Sequence, residues 1–288
     1  MKNKKMFLCI ALILTAMVLS MCSKKAEAQE SKGGSAAGSA KTEAYNSESD
    51  FQIDWDKNVK DGVIITKYIG TKNEVNIPPS IQNSPVTGIE EWSFSENKNI
   101  TKVTIPNGVT SIGEFAFKSC TSLTSITIPN SVISIGGSAF QSCTSLTSIT
   151  IPNSVISIGK AIFNDCTSLI SVTLPNNITS ISDGAFQGCS SLTNITIPDS
   201  VTSIGEWAFN NCYNLTSIII PNSVTSIIAK TFANCTNLTS VTFQSTITSG
   251  NFSSNMSFPG DLRTKYLASD GGPGTYKRFA NGEVWKKQ

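Results

Sequence analysis

A period of 23 residues constrains this chain more than any other feature of its sequence. Phenylalanine, cysteine and proline each recur at that interval, at Phe94, Phe117, Phe140, Phe163, Phe186, Phe209 and Phe232, at Cys120, Cys143, Cys166, Cys189, Cys212 and Cys235, and at Pro106, Pro129, Pro152, Pro175, Pro198 and Pro221. A fixed period in the twenties is typical of a solenoid, because a single unit cannot bury its apolar face without neighbours. We therefore predict one repeat solenoid of 23-residue units over residues 94–243.

The unit that begins at Leu123 shows how each turn is expected to fold. Leu123, Ile126 and Ile128 alternate with polar residues and predict a short strand whose apolar side chains point inward. Pro129 ends that strand, since proline has no N–H to donate to a sheet. Gly136 is predicted to occupy a corner with positive φ. Every residue type should then form a column along the axis, with a step of about 4.8 Å.

The full pattern of the unit, C-x-x-L-x-x-I-x-I-P-x-x-V-x-x-I-G-x-x-A-F, resembles the BspA-like leucine-rich repeats, also called the Treponema type. The resemblance covers Val75 to Phe243, with local departures such as Ser182 and Ile228 in place of the corner glycine. It implies a parallel β-sheet on the concave side of the solenoid. The other side would hold short strands, turns and irregular or 3₁₀ segments.

Both ends of the solenoid depart from the period, which predicts capping segments. Residues 51–93 are interpreted as an N-terminal cap with a first atypical repeat, which carries an insertion around residues 81–85. Residues 244–288 are interpreted as a C-terminal cap with one or two helical turns at 261–268. Its hairpin is predicted to pair 276–279 with 283–287 around Ala280-Asn281-Gly282, because Asn-Gly favours a tight turn.

Residues 1–28 have the basic start and apolar run of a signal segment. Two processing sites compete: a lipobox would place cleavage before Cys22 and lipidate it, and Ala26-Glu27-Ala28 would place cleavage after Ala28. An uncleaved anchor is a third interpretation. Residues 23–50 predict a flexible Ser/Gly/Ala linker. We expect an exported protein, at the cell surface or as an outer-membrane lipoprotein, with a secreted or periplasmic protein as the alternative.

Eight cysteines in an exported chain raise the question of disulfides, but six of them occupy one column of the repeat. Neighbouring turns would hold the Cβ atoms about 4.8 Å apart, which is wider than the ~3.8 Å of a good disulfide. A straight column also cannot surround a tetrahedral zinc ion. We predict buried free thiols, with no metal and no cofactor.

Composition excludes two classes of function. The chain has no histidine, which removes the commonest general base, and the repeats show no paired carboxylates or phosphate-binding loop. We therefore expect no enzyme. Charged residues form 15% of the chain with a net charge of +2, so nucleic acid is not an expected partner.

Two surfaces are candidates for binding. Outward positions of the concave strands carry short hydroxyls, with Thr127, Thr150 and Thr173 at the centre. The position two residues before each phenylalanine varies and includes Trp92, Phe115 and Trp207, to which Tyr213 adds an aromatic ring in the last units. Each of these rings either faces a partner or folds over its own turn. Aromatic side chains dominate binding hot spots, so we expect the edge around Trp207 to contribute more than the threonines, with Tyr276, Arg278 and Trp285 as further anchors.

Three functions stay open at this point. The resemblance implies a surface adhesin or recognition protein, because BspA-like proteins are associated with binding host matrix proteins and with contact between bacteria. Its partner would be an extracellular protein or glycan, with a lipid anchor as its contact with the membrane and the chain as a monomer. A passive structural envelope protein is the alternative, and an enzyme of unknown type is the third.

Overall fold

The computed structural model describes residues 44–253, 255–280 and 282–288. Its elements follow in chain order: β1 Phe51–Trp55, β2 Val63–Tyr68, β3 Glu74–Asn76, β4 Ser80–Ile81, β5 Ser84–Ile89, β6 Lys102–Thr104, β7 Ser111–Ile112, β8 Ser125–Thr127, β9 Ser134–Ile135, β10 Ser148–Thr150, β11 Ser157–Ile158, β12 Ser171–Thr173, β13 Ser180–Ile181, β14 Ser203–Ile204, β15 Ser217–Ile220, β16 Ser226–Ile227, β17 Ser240–Phe243, α1 Leu262–Tyr266, β18 Gly274–Lys277 and β19 Lys286–Lys287. Single 3₁₀ turns lie at Glu48–Asp50 and Asn255–Ser257.

The turns of the solenoid place their strands in two rows of parallel strands. The first row, here the Ser/Thr sheet, is paired in three groups, β3-β6-β8, β10-β12 and β15-β17, and the turn at 192–197 adds no strand to it. The second row is paired in two groups, β5-β7-β9-β11 and β13-β14-β16. Partners lie one repeat apart, as in the pair Ser148–Ser171. The predicted repeat solenoid with parallel strands is confirmed.

The Phe column forms the centre of the core. Its rings are at most 2% exposed, and successive ring centroids are 4.8–5.7 Å apart with interplanar angles of 6–23°. Tyr68 continues the stack at one end and Phe258 at the other, at 5.5 and 4.6 Å. The caps therefore cover the open ends of the column with rings of their own.

The Cys column lies beside the rings as free, buried thiols, as predicted. Each sulfur is placed to donate a hydrogen bond to the carbonyl oxygen of a phenylalanine in the turn before, for example Cys143 Sγ to Phe117 O at 3.1 Å. These bonds satisfy a group that burial would otherwise leave unpaired. Burial raises the pKa of Cys120, Cys166 and Cys235 to about 12, since a thiolate would lose its hydration there.

The predicted positive-φ corner at Gly136 is wrong. The left-handed residue of that corner is Ser138, with φ of 53°, two positions further along. Gly136 is required for a different reason, because a Cβ atom there would lie 2.4 Å from the backbone nitrogen of Glu114 in the preceding turn. The glycine lets the two backbones approach. Ser182 brings a Cβ atom to the equivalent position, and there β11 and β13 do not pair.

The N-terminal cap is an antiparallel pair, β1 and β2, whose second strand continues the second row through β5. The predicted insertion is a hairpin of β4 and β5 with Gln82 and Asn83 in left-handed conformations. Residues 44–50 pack onto the fold, although the sequence predicts a linker up to residue 50: Asn46 is buried, and its side-chain oxygen accepts the N–H of Asn76 at 2.8 Å. Residues 1–43 lie outside the described part of the chain.

The C-terminal cap closes the Ser/Thr sheet, because β18 pairs antiparallel with β17. The predicted helical turn is present as α1. The predicted hairpin is present: β18 and β19 pair at Tyr276–Lys287 and Lys277–Lys286, and in the connection between them Gly282 N–H donates to Phe279 O at 2.9 Å. Trp285, from that connection, is fully buried and donates Nε1–H to Pro259 O at 2.8 Å. The hairpin connection thus contributes a buried ring to the core of the cap.

Candidate functional site

The Ser/Thr sheet carries the three predicted threonines on its solvent side. Thr127, Thr150 and Thr173 are exposed and line an open cavity of about 540 Å³. The remaining polar lining comes from serine hydroxyls and asparagine amides, so the cavity is neutral. It lies where the pairing of the Ser/Thr sheet is interrupted, as β8 and β10 do not pair within the described strands. The structure thus brings the three threonines together, in a site rich in hydrogen-bonding groups and without an aromatic ring.

A second surface follows the residue two positions before each phenylalanine, and we call it the variable edge. Its members are Trp92, Phe115, Ser138, Ala161, Gly184, Trp207 and Lys230, all with φ between 53° and 61°. Left-handed conformations are uncommon for residues other than glycine and cost about 1–2 kcal/mol. Their N–H groups donate to the next turn, as Phe115 does to Gly137 O at 2.9 Å. The conformation belongs to the turn, and the side chain at this position is free to vary.

Sequence reasoning missed a second column of left-handed residues, directly before each cysteine of the column and before Asn97 in the first repeat. It contains Glu96, Ser119, Ser142, Asp165, Gly188, Asn211 and Asn234, with φ between 58° and 74°. The sequence could have indicated this column, because four of its seven residues are glycine, asparagine or aspartate, which tolerate the left-handed conformation best. The N–H groups again bond the following turn, for example Asp165 to Gln187 O at 2.7 Å. Two such corners in each turn reverse the chain on the way from one row of strands to the other.

At the N-terminal end of the variable edge, Trp92 and Phe115 form a stacked pair. Their ring centroids are 4.2 Å apart at an interplanar angle of 17°, and Trp92 is 46% exposed. Lys118 Nζ lies 5.3 Å from the Trp92 centroid and 5.1 Å from the Phe115 centroid. Each ring packs against the ring of the neighbouring repeat, and the alternative that each folds over its own turn is not what the structure has.

Trp207 lies near the other end of the same edge, four repeats beyond Phe115. It is 41% exposed, and Lys230 Nζ lies 5.3 Å from its ring centroid. Between the two aromatic sites the column holds only Ser138, Ala161 and Gly184. The predicted aromatic residues are therefore two separate sites on one edge. Tyr213 is 44% exposed directly after Cys212, at the corner that follows.

The further anchors predicted in the C-terminal cap are wrong. Tyr276 and Trp285 are fully buried in the cap. Arg278 donates to the backbone oxygens of Leu238, Cys235 and Thr236 at 2.6–3.1 Å and also to Gly282 O. These contacts use the guanidinium to satisfy the carbonyls at the end of the last repeat. Arg278 therefore caps the end of the last repeat, and these hydrogen bonds occupy its guanidinium group.

Charges on the variable edge and beside it differ along the axis. Lys160 and Asp183 form an ion pair at 2.9 Å in the middle of the solenoid. The hydrogen bond from Lys160 lowers the pKa of Asp183, as expected for a carboxylate beside an ammonium group. Near Trp92, a groove of about 430 Å³ is lined by Asp54, Asp56, Glu90, Glu91 and Glu114. Sequence reasoning missed this groove, because β1 and the first two repeats supply its residues from distant parts of the chain.

The carboxylates and thiols of the described residues are the side chains that could hold a metal ion. Within the described residues, no group of three or more cysteine, aspartate or glutamate side chains is arranged to hold a metal ion. The column thiols are protonated at neutral pH, so they lack the thiolate that a nucleophile or metal ligand needs.

Cys22, the predicted lipidation site, lies outside the described residues. Within them, no helix is both long and apolar enough to span a bilayer.

Comparison with known proteins adds three findings. The family described as BspA type leucine rich repeat region matches residues 72–172 and 157–258, in 6 copies. A leucine-rich repeat protein of T. pallidum is 30% identical, with 68% of this chain and 91% of that chain covered and a TM-score of 0.61. A leucine-rich cell surface protein of Faecalibacterium prausnitzii is 32% identical, with 86% of this chain and 61% of that chain covered and a TM-score of 0.64. No curated protein matches in sequence.

Proposed function

This chain belongs to the BspA-type leucine-rich repeat family, and from that premise we propose that it is a bacterial cell-surface recognition and adhesion protein. The family implies a role in protein interaction or adhesion, and its members are typically exported or at the surface. The partner we propose is a host or neighbouring-cell protein or glycan. Leucine-rich repeat proteins are typically not catalysts, and we assign no reaction to this chain.

The observation that carries the proposal is the exposed indole of Trp207 on the variable edge. The neighbouring members of the column, Gly184 and Lys230, are small or charged, and Trp207 adds a large amphipathic ring that is 41% exposed. Tryptophan is enriched among residues whose truncation weakens binding most, because it buries a large area with little loss of side-chain entropy. The Ser/Thr sheet lacks such a residue. We therefore assign the main contact to the edge around Trp207.

A binding assay with two variants tests the assignment. The purified chain is offered immobilised extracellular matrix and serum proteins, and captured partners are identified and then titrated. Trp207→Ser should weaken the interaction by about tenfold or more. A variant with Thr127, Thr150 and Thr173 changed to Glu should keep most of it. If the threonine variant alone loses binding, the edge assignment is wrong and the cavity of the Ser/Thr sheet is the site.

A passive structural role in the envelope is the second candidate, and the neutral Ser/Thr sheet favours it. Short hydroxyls without an aromatic or charged anchor suit a surface that only has to stay hydrated. This candidate predicts that neither variant matters, because no specific partner is captured in the first place. Attachment to intact bacteria measured with and without the chain then separates the two roles.

Surface attachment is a further part of the proposal, with lipidation at Cys22 as the anchor. It is supported by the lipobox pattern around that cysteine and by the typical location of the family. Mass spectrometry of the mature N-terminus tests it directly. A lipid-modified Cys22 supports the anchor, and an N-terminus at Gln29 would assign the chain to ordinary secretion.

A further inference from the structure

The N-terminal end of the variable edge differs from the Trp207 site in both its rings and its charges. Trp92 and Phe115 present a stacked pair that is partly open to solvent. Lys118 Nζ is almost equally far from the two centroids, 5.3 and 5.1 Å, although the centroids are only 4.2 Å apart. The ammonium therefore contacts both rings, and Trp92 still keeps 46% of its surface exposed.

The groove beside this pair is acidic. Asp54, Asp56, Glu90, Glu91 and Glu114 line it, and Lys57 is the one basic side chain in its lining. Glu91 directly precedes Trp92, and Glu114 directly precedes Phe115, so carboxylates and rings share the same two turns. Ile64 and Ile89 add apolar surface to the groove. Aromatic faces next to carboxylates and a narrow apolar floor match an aliphatic stem that ends in a positive charge.

We propose that Trp92, Phe115 and the adjoining groove dock a basic segment of an extracellular protein. Charge complementarity selects the partner, because the groove repels an acidic chain and favours arginine or lysine. Arginine fits best, since its planar guanidinium stacks on aromatic rings and bonds carboxylates in the same plane. The docked side chain would pack against the exposed surface of the ring pair while its end groups bond Glu91 or Glu114.

The Trp207 site provides the internal contrast. Lys230 Nζ lies 5.3 Å from its ring, as Lys118 Nζ does from the Trp92 ring, so the two sites differ in the second ring of Phe115 and in the acidic groove beside the Trp92 pair. A basic partner should therefore gain less binding free energy at the Trp207 site. The proposal deepens the recognition function proposed above by naming the chemistry of one partner segment, yet it concerns a different site from Trp207 and can fail without it.

The test uses the full chain and three synthetic peptides: alternating arginine and leucine, the same peptide with glutamate for arginine, and the same peptide with serine for arginine. Affinity is measured by calorimetry. The arginine peptide should bind best, and raising the salt from about 50 mM to about 300 mM NaCl should weaken it by about tenfold. Equal binding of the glutamate peptide would overturn the proposal.

Two variants with the same change of charge locate the site. Glu90→Gln, Glu91→Gln and Glu114→Gln combined should reduce affinity for the arginine peptide by about tenfold, and Trp92→Ser should do so separately. The matched control combines Asp165→Asn, Asp199→Asn and Glu206→Gln, which lie about two to four repeats beyond Glu114, and should leave affinity unchanged. Equal losses in both triple variants would mean general attraction to negative charge and would overturn the proposal.

Other outcomes separate this inference from the proposed function. If the triple glutamine variant still captures matrix or serum proteins as the native chain does and binds the peptide equally well, the docking proposal is wrong and the recognition function stands. If the native chain captures no extracellular protein but binds the arginine peptide at this site, the recognition function loses its support and the docking chemistry stands. Self-association that disappears with Trp92→Ser would identify a second copy as the occupant and overturn the basic-segment proposal.

Discussion

Phe163 and Ala161 lie two residues apart in one turn, but the columns to which they belong differ in how much the side chain varies from repeat to repeat. The column of Phe163 repeats one side chain from Phe94 to Phe232, because each ring has another ring on both sides. The column of Ala161 changes in every repeat from Trp92 to Lys230, because its backbone is held by the next turn and its side chain is not. A solenoid of this kind thus separates stability from recognition at the level of single positions.

The pH dependence of stability should show the largest effect of the buried columns. The pKa of Cys120, Cys166 and Cys235 is raised from about 9 to about 12 by burial. Above pH 9 the unfolded chain releases these protons while the folded chain keeps them, so stability falls as pH rises from 9 to 12. Each thiol contributes about 1.4 kcal/mol per pH unit in that window. Urea unfolding at a series of pH values measures the slope.

The control for that slope is Cys166→Ala. It should lower stability at pH 7 through the lost packing, and it should also remove one thiol's share of the slope above pH 9. Lysine and tyrosine titrate in both proteins and cancel in the difference. An unchanged slope would mean that the Cys166 thiol ionises inside the fold. The folded native chain should also resist alkylation at pH 8.

Truncation of the Phe column should have the next largest effect. Phe163→Ala should lower the free energy of unfolding by about 3–5 kcal/mol, because the ring is fully buried between Phe140 and Phe186. The loss should concentrate in the adjoining turns, which hydrogen exchange can follow. Trp207→Ser is the matched change in the variable edge and should cost less than about 0.5 kcal/mol. Similar losses in the two variants would contradict the separation of the columns.

A feature of the fold or of the candidate sites could be predicted from the sequence when it recurs with the 23-residue period. The burial of Phe163 and Cys166 follows from the period alone, since identical residues at one interval must form a stack. The conformation of Ser138 did not follow, because its column mixes tryptophan, serine, alanine and glycine and so gives no common propensity. The acidic groove combines Asp54 of the cap with Glu114 of a repeat, and no period connects them. Arg278 and Trp285 failed as anchors because Arg278 bonds carbonyls of the last repeat and Trp285 is buried in the cap.

The close approach of backbones at Gly136 gives a smaller predicted effect. A Cβ atom at Gly136 would lie 2.4 Å from Glu114 N and 2.6 Å from Gly113 C, so Gly136→Ala must separate two turns. We expect a loss of about 1–3 kcal/mol in the free energy of unfolding. Gly137→Ala is the control, since its nearest contact would be Lys160 O at 3.3 Å, and it should cost clearly less. Equal costs would show that steric contact with the preceding turn is not what requires glycine.

The smallest predicted effect concerns the backbone of the variable edge itself. Gly184 has φ of 61° and occupies the same left-handed corner as Ala161, whose φ is 53°. A Cβ atom at Gly184 meets nothing closer than Gln187 Oε1 at 3.4 Å, so Gly184→Ala tests conformation without a clash. It should lower the free energy of unfolding by about 1 kcal/mol. Ala161→Gly should raise it by less, because glycine also gains freedom in the unfolded chain. If Gly184→Ala is neutral and Ala161→Gly destabilises, the corner carries no strain. The variable edge would then owe its tolerance to the hydrogen bonds between turns alone.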